Sequence, residues 1–330
     1  VIGGGFVILW AAALATLAAG SYDIRVADIL RILGAKLFGL DGGAIPKLQE
    51  VIVWRLRFPR ILLAMLAGMA FSVSGATYQA CFRNPLVEPY VLGVSAGAAF
   101  GAALGIMYPA VFPSVQLSAF LMAILAVSLT YSLARSRGQT PTVTLVISGV
   151  VVGSLFTALV SALKYIAPDA KLREITFWMM GGFYYASWND VALAGPVVLA
   201  VFLAIYALSW KLNVLSMGDE EAKALGVNPD FYKPLLIVLT TLATALSVSM
   251  VGIVAWVGLM APHAARMLFG ADNNYVIPAS ALFGAAFLLF CDTLARTLTG
   301  SEIPIGILTS ILGAPFLVFL LRRKGGAIYR

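Results

Sequence analysis

Long stretches without a single charged side chain constrain this chain more than any other feature. No Asp, Glu, Lys or Arg occurs in 1–22, 61–82, 89–134, 138–163, 191–210, 234–265, 275–291 or 303–321. About 20 apolar residues carry a helix across about 30 Å of hydrocarbon. The stretch 89–134 holds two crossings separated by Pro109 and Pro113, and 234–265 with the patch behind it holds two more, the second short. Ten crossings result, at 1–20, 61–81, 90–107, 115–134, 142–163, 191–210, 234–252, 254–268, 275–296 and 304–321. Charged residues make up 11%, against about 25% in soluble domains, which excludes an ordinary soluble enzyme. The expected fold is an all-α polytopic membrane protein, a single transmembrane domain over 1–330. Its longest polar segments are 21–60 on the outer face and 211–233 on the cytoplasmic face. Residues 1–20 share the Ala/Gly-rich end of a secretory leader but lack a basic n-region, so a first crossing is the preferred reading.

Ten crossings put both termini on one side of the membrane. Lys and Arg tie at eleven on each side, and the Arg322-Arg323-Lys324 cluster after the last crossing assigns that side to the cytoplasm. The net charge of +7 lies in loops, where it suits anionic headgroups or acidic partner proteins rather than nucleic acid. Arg55, Arg57 and Arg60 crowd the outer start of the second crossing, where few cations are expected. They either snorkel to headgroups or offer a docking surface to an acidic partner. In 21–60, Ile29, Leu30, Leu33 and Leu37 share one helical face, as in an interfacial amphipathic helix. Gly93, Gly97, Gly101 and Gly105 recur at four-residue spacing, which predicts a groove for close helix packing.

No catalytic constellation is present. The chain has one histidine, His263, so neither a His-based metal site nor a triad can be assembled. It has no G-x-x-x-x-G-K-[ST] loop for nucleotide. His263 reads as a structural hydrogen-bonding residue, with a heme ligand as the alternative. Cys81 and Cys291 lie far apart and read as buried thiols. Asp292 precedes Arg296 by one helical turn and reads as half of an ion pair at the membrane boundary, with a proton relay as the alternative. In 211–233, Ser216 and Asp219 fit a capping box, and Gly226 supplies a stop. A short polar helix follows, carrying Gly218, Asp219, Glu220, Glu221, Ala222 and Leu225, and it suits docking of a cytoplasmic subunit.

Several of these segments resemble one known family, the ABC importer permeases for iron–siderophore, heme and vitamin B12 uptake. The segments are Trp54-Arg55-Leu56-Arg57-Phe58-Pro59-Arg60, Phe82-Arg83-Asn84-Pro85-Leu86, Leu92-Gly93-Val94-Ser95-Ala96-Gly97, the loop Gly218 to Gly226, and Gly258-Leu259-Met260-Ala261-Pro262-His263. Ile303-Pro304-Ile305-Gly306 and Gly313-Ala314-Pro315-Phe316 complete the series in the family's order. The resemblance implies a type II ABC importer permease in a prokaryotic cytoplasmic membrane, with both termini inside. It implies a second copy of the chain, two ATPase subunits that bind ATP and magnesium in this chain's stead, and an external substrate-binding protein. Arg57, Arg60 and Arg296 match positions that meet the binding protein's glutamates. Ser216 to Gly226 match the coupling segment. Asn84, Leu86, Thr142 and Val143 match the cytoplasmic gate, where Val143 departs from the small hydroxyl residues common in the family. The implied cargo is a ferric siderophore or cobalamin, with heme or an oxyanion such as molybdate or tungstate as alternatives. An ion-gradient-driven transporter would call for buried carboxylates that the sequence does not offer beyond Asp292.

Overall fold

The computed structural model describes residues 2–20, 22–40, 45–135 and 141–323. Among these, fourteen helices follow one another: α1 (Ile2–Ala18), α2 (Val26–Phe38), α3 (Lys47–Cys81), α4 (Val94–Met107), α5 (Val115–Ala134), α6 (Thr142–Ile166) and α7 (Asp169–Met180) come first. They are followed by α8 (Trp188–Ala207), α9 (Ser209–Met217), α10 (Asp219–Ala224), α11 (Pro229–Val251), α12 (Val257–Phe269), α13 (Asn273–Thr297) and α14 (Ile305–Arg323). A π-helical stretch, Val51–Arg57, lies within α3, and a 3-10 turn, Pro89–Leu92, leads into α4. Helices α3, α5, α6, α8, α11 and α13 are long and apolar enough to cross a membrane, and α1, α4 and α14 are shorter apolar helices. The tenth expected crossing is α12, with only 13 residues. Lys324, part of the terminal basic cluster, falls outside the described residues.

Helix α3 forms the centre, packed by α13, α11, α12 and α8. Small residues set how near its neighbours come. A Cβ on Gly68 would overlap the carbonyl of Gly284 in α13, and one on Gly75 would overlap that of Gly258 in α12. Backbones in such contact gain dispersion energy that larger side chains would forbid. The glycine repeat of the fourth helix works similarly, with one correction. Gly97, Gly101 and Gly105 abut α5 at Met122, Ser118 and Val115. Gly93 precedes the helix as a left-handed N-cap, φ 85°, and faces Gly149 and Gly153 of α6.

Helix α2 also departs from expectation. Ile29, Ile32 and Leu33 are buried in a side core with α1 and α3, whereas Leu30 and Leu37 point outwards. The helix therefore packs on the bundle with a narrower face than the amphipathic pattern suggests.

Candidate functional site

The bundle has two functional ends. At one, called here the arginine end, α3 begins, α13 finishes and the α1–α2 connection passes over both. Asp292 is fully buried there and takes hydrogen bonds from Arg60 Nε at 2.8 Å and Arg296 Nε at 3.2 Å. The expected Asp292–Arg296 pair thus exists, but it lies inside the protein and includes a second cation. Arg60 also donates to both carboxylate oxygens of Glu302, at 2.9 and 2.8 Å. Arg57 donates to the carbonyls of Leu17 and Tyr22, both at 2.7 Å, and Arg296 to those of Ala19 and Thr16.

Arg57, Arg60 and Arg296 are consequently buried, 7%, 8% and 9% exposed. The three guanidiniums therefore present little free surface while this network is intact. A buried carboxylate needs opposing charge, and the last carbonyls of α1 need donors, so the guanidiniums are drawn inwards. Arg55, one turn along, remains exposed. Beside this network opens a cavity of about 700 Å³, lined by Arg173, Phe177, Trp178, Tyr184, Tyr185 and Glu302 among others. Burial and the nearby Glu302 raise the Tyr184 phenol above its ordinary pKa. The indole of Trp188 donates to the Trp54 carbonyl at 2.7 Å and stacks beside Trp54 and Phe58, an anchor typical of a membrane interface.

At the opposite end, the loop end, α9, α10 and the start of α11 form one unit. Ser216 does not cap α10; its hydroxyl donates to the Asn213 carbonyl at 2.6 Å, inside the last turn of α9. Gly218 is the N-cap instead, at φ 149°, ψ 163°, and its missing side chain leaves room for Glu221 and for the Arg83 guanidinium. A φ of 149° lies in the region open to glycine, and no side chain caps the helix there. Gly226 is the stop, at φ 78°. The N–H groups of Val227 and Gly226 return to the carbonyls of Ala222 and Lys223, a Schellman motif. Asp219 accepts from Lys233 of α11 at 2.6 and 2.8 Å, Lys223 pairs with Asp230 at 3.3 Å, and Ala222 is fully buried. Met217, Glu220, Glu221 and Leu225 are left exposed.

The turn after α3 stands next to this unit. Arg83, at φ 50°, heads it, and Asn84 Oδ1 accepts from the Leu86 N–H at 3.0 Å. Asn84 and Leu86 are exposed, as is Val143 in the first turn of α6, with Thr142 half-buried. Gln79, which closes the segment Ser74-Gly75-Ala76-Thr77-Tyr78-Gln79 that also resembles the family, ties the region together. It donates to the carbonyls of Val87 and Gly258 at 3.3 and 3.2 Å and accepts from Arg266. His263 is 4% exposed, with Nδ1 3.1 Å from the Leu259 carbonyl of its own helix. A second polar interlock joins α9 to α13. Asn213 donates to Asp272 at 2.6 Å and accepts from the Asn273 N–H at 2.8 Å. Asp272 caps α13 through the Asn274 N–H, and these donors hold its carboxyl below the ordinary value.

Among the described residues, six long apolar helices and three shorter ones surround a charged lock at one end and an anchored, exposed helix at the other. Residues 8–323 match the FecCD transport family. This chain belongs to that family and is the permease subunit of an ABC importer. It is 36% identical over 317 residues to the molybdate import system permease MolB of Haemophilus influenzae, covering 95% of this chain and 93% of that one. It is 42% identical over 280 residues to the cobalamin import system permease BtuC of Halobacterium salinarum, covering 85% and 76%. An inward-facing metal-chelate type ABC transporter superposes with a TM-score of 0.85 at 34% identity, covering 98% of both chains.

Proposed function

We propose that this chain forms, with a second copy of itself, the membrane pathway of an importer for a metal chelate, a ferric siderophore or cobalamin. Heme and molybdate or tungstate are the alternatives within the family. The loop end and both termini face the cytoplasm across a prokaryotic inner membrane, and two ATPase subunits that hold Mg-ATP engage there. A substrate-binding protein engages the arginine end.

One observation carries this reading: α10 is exposed on its outer side, tethered twice to α11, and adjacent through Gly218 to Arg83. A push on Glu220, Glu221 and Leu225 is thereby delivered to the turn bearing Asn84 and Leu86, which gates the pathway with Thr142 and Val143. Exposed hydroxyls on α6, such as Thr157 and Ser161, are satisfied within their own helix at 2.8 and 3.0 Å. Such a lining is weakly polar and suits release rather than tight binding, leaving selectivity to the binding protein. At the arginine end the partner's carboxylates meet Arg55 first, and reach Arg60 by displacing Glu302.

Uptake into proteoliposomes containing the permease, its ATPase and its binding protein tests the assignment. Ferric siderophore, cobalamin, hemin and molybdate are supplied in parallel, with and without internal ATP. ATP-dependent accumulation of one compound is expected; accumulation that follows an ion gradient and ignores ATP overturns it.

A further inference from the structure

Helices α11 and α12, two successive legs of the bundle, are joined by an irregular segment packed inside the protein. Residues 252–255 have no regular structure, and Trp256 caps α12 at φ 75°, ψ −28°. A bulky side chain in the left-handed region is a genuine outlier, and such strain persists only where surrounding contacts impose it. Here the contacts come from the segment 82–93. The Tyr90 hydroxyl donates to the Val254 carbonyl at 2.8 Å and accepts from the Val254 N–H at 3.3 Å. The half-buried Glu88 carboxyl lies close to the Trp256 backbone N–H. Pro89 packs on Gly258, and the Tyr90 ring lies 6.0 Å from that of Phe71, near the middle of the 24-residue stretch Phe58–Cys81 of α3. Irregular backbone at membrane depth is tolerated only when the protein itself satisfies it, and the Tyr90 hydroxyl does so at Val254.

The break also touches what lies beyond it. The base of the Trp256 side chain occupies the space that a Cβ on Gly313 of α14 would need, at 2.6 and 2.7 Å. The Gly182 N–H donates to the Val251 carbonyl at 2.8 Å, and the Ile305 N–H to the Gly181 carbonyl at 3.1 Å. The segment that starts at the Asn84 turn therefore ends on a strained tryptophan lodged against the last helix.

We propose that Glu88 and Tyr90 are positioning residues that carry displacement of the 82–88 turn to Trp256 and through it to α14, making 252–256 the moving joint of the transport cycle. This rests on the importer reading above. As the turn shifts, the two hydrogen bonds drag the backbone of the break, Trp256 leaves the left-handed region, and its side chain slides from Gly313.

The test uses the complete complex in nanodiscs. Trp256 fluorescence, taken as wild type minus Trp256→Phe, is recorded before and after trapping with Mg-ATP and vanadate. A change in emission is expected with the wild-type background and is lost on Tyr90→Phe. Uptake per ATP, measured with the compound identified in the four-way comparison, falls about tenfold or more in Tyr90→Phe and Glu88→Ala. Glu88→Gln, which keeps the acceptor oxygen, stays within about twofold of wild type. The melting temperature of Glu88→Gln stays within about 2 °C of it, while Tyr90→Phe, which leaves the Val254 N–H and carbonyl unpaired, still assembles and melts a few degrees lower. An emission unchanged by trapping, or coupling ratios in Tyr90→Phe and Glu88→Ala equal to wild type, overturns the joint. Absence of ATP-dependent uptake by the wild type overturns the importer reading instead, and is seen independently of any variant.

Discussion

Asp292 has no exposure to solvent and two guanidiniums in hydrogen-bond reach. Its removal leaves buried cations unopposed, a change that costs about 3–5 kcal/mol. Asp292→Asn is therefore expected to lower the melting temperature of the purified permease by several degrees. Glu302→Gln, which alters a side chain 39% exposed, is expected to lower it far less. Asp272 behaves differently because it lies at the surface. Its folded pKa is depressed by N–H and amide donors, so its contribution to stability is whole above about pH 4, the unfolded value. It is lost as the pH falls through the lower folded value. Thermal unfolding followed from pH 7 to pH 3 should show this acid-side loss, and Asp272→Asn should flatten that portion of the profile.

Among the elements, α10 shows how much local sequence can say. Polar helix formers ending in glycine marked it, and its Schellman stop is where the sequence placed it. Ser216 misled, because a serine three residues before an acid has the same spacing inside a helix end as at a helix start, and only tertiary packing of α9 decides between them. Gly226→Ala forces a Cβ into φ 78° and should cost about 1–2 kcal/mol, readable as faster proteolysis of the 211–233 loop in otherwise intact permease. The six long spans were legible because hydrocarbon demands long apolar runs, whereas α1, α4 and α14 are shorter apolar helices and α12 has only 13 residues. The arginine lock was half legible: Asp292 and Arg296 share a helix turn, whereas Arg60 reaches Asp292 and Glu302 only through the fold. Glu88 was not legible at all, since nothing in a turn sequence tells that it re-enters the bundle.

For the whole molecule, the two ends are joined by continuous elements. Helix α13 begins at the Asn213–Asp272 interlock and ends at Asp292 and Arg296, while α3 runs from Arg57 and Arg60 to the Asn84 turn. Movement at the loop end thus has rigid routes to the arginine end. Exchanging Glu220 and Glu221 for Lys on the exposed side of α10 should leave the permease folded and ATP hydrolysis by its partners active, while uptake per ATP falls at least about tenfold. Parallel phosphate-release and uptake assays on the same proteoliposomes check this, and an unaltered ratio places the contact elsewhere.

Helix α3 has the lowest mean hydropathy of the six long spans, 1.6, yet 89% of its apolar window is buried; α6 and α8, at 2.3 and 2.1, are 33% and 22% buried. Oiliness in these helices therefore rises with the surface they present outside the single chain, while the central helix answers to volume and fit. Random substitution should accordingly find the greasiest helices forgiving of any similar residue and the least greasy one almost immutable. A search for the vital segment by hydropathy alone would rank it last.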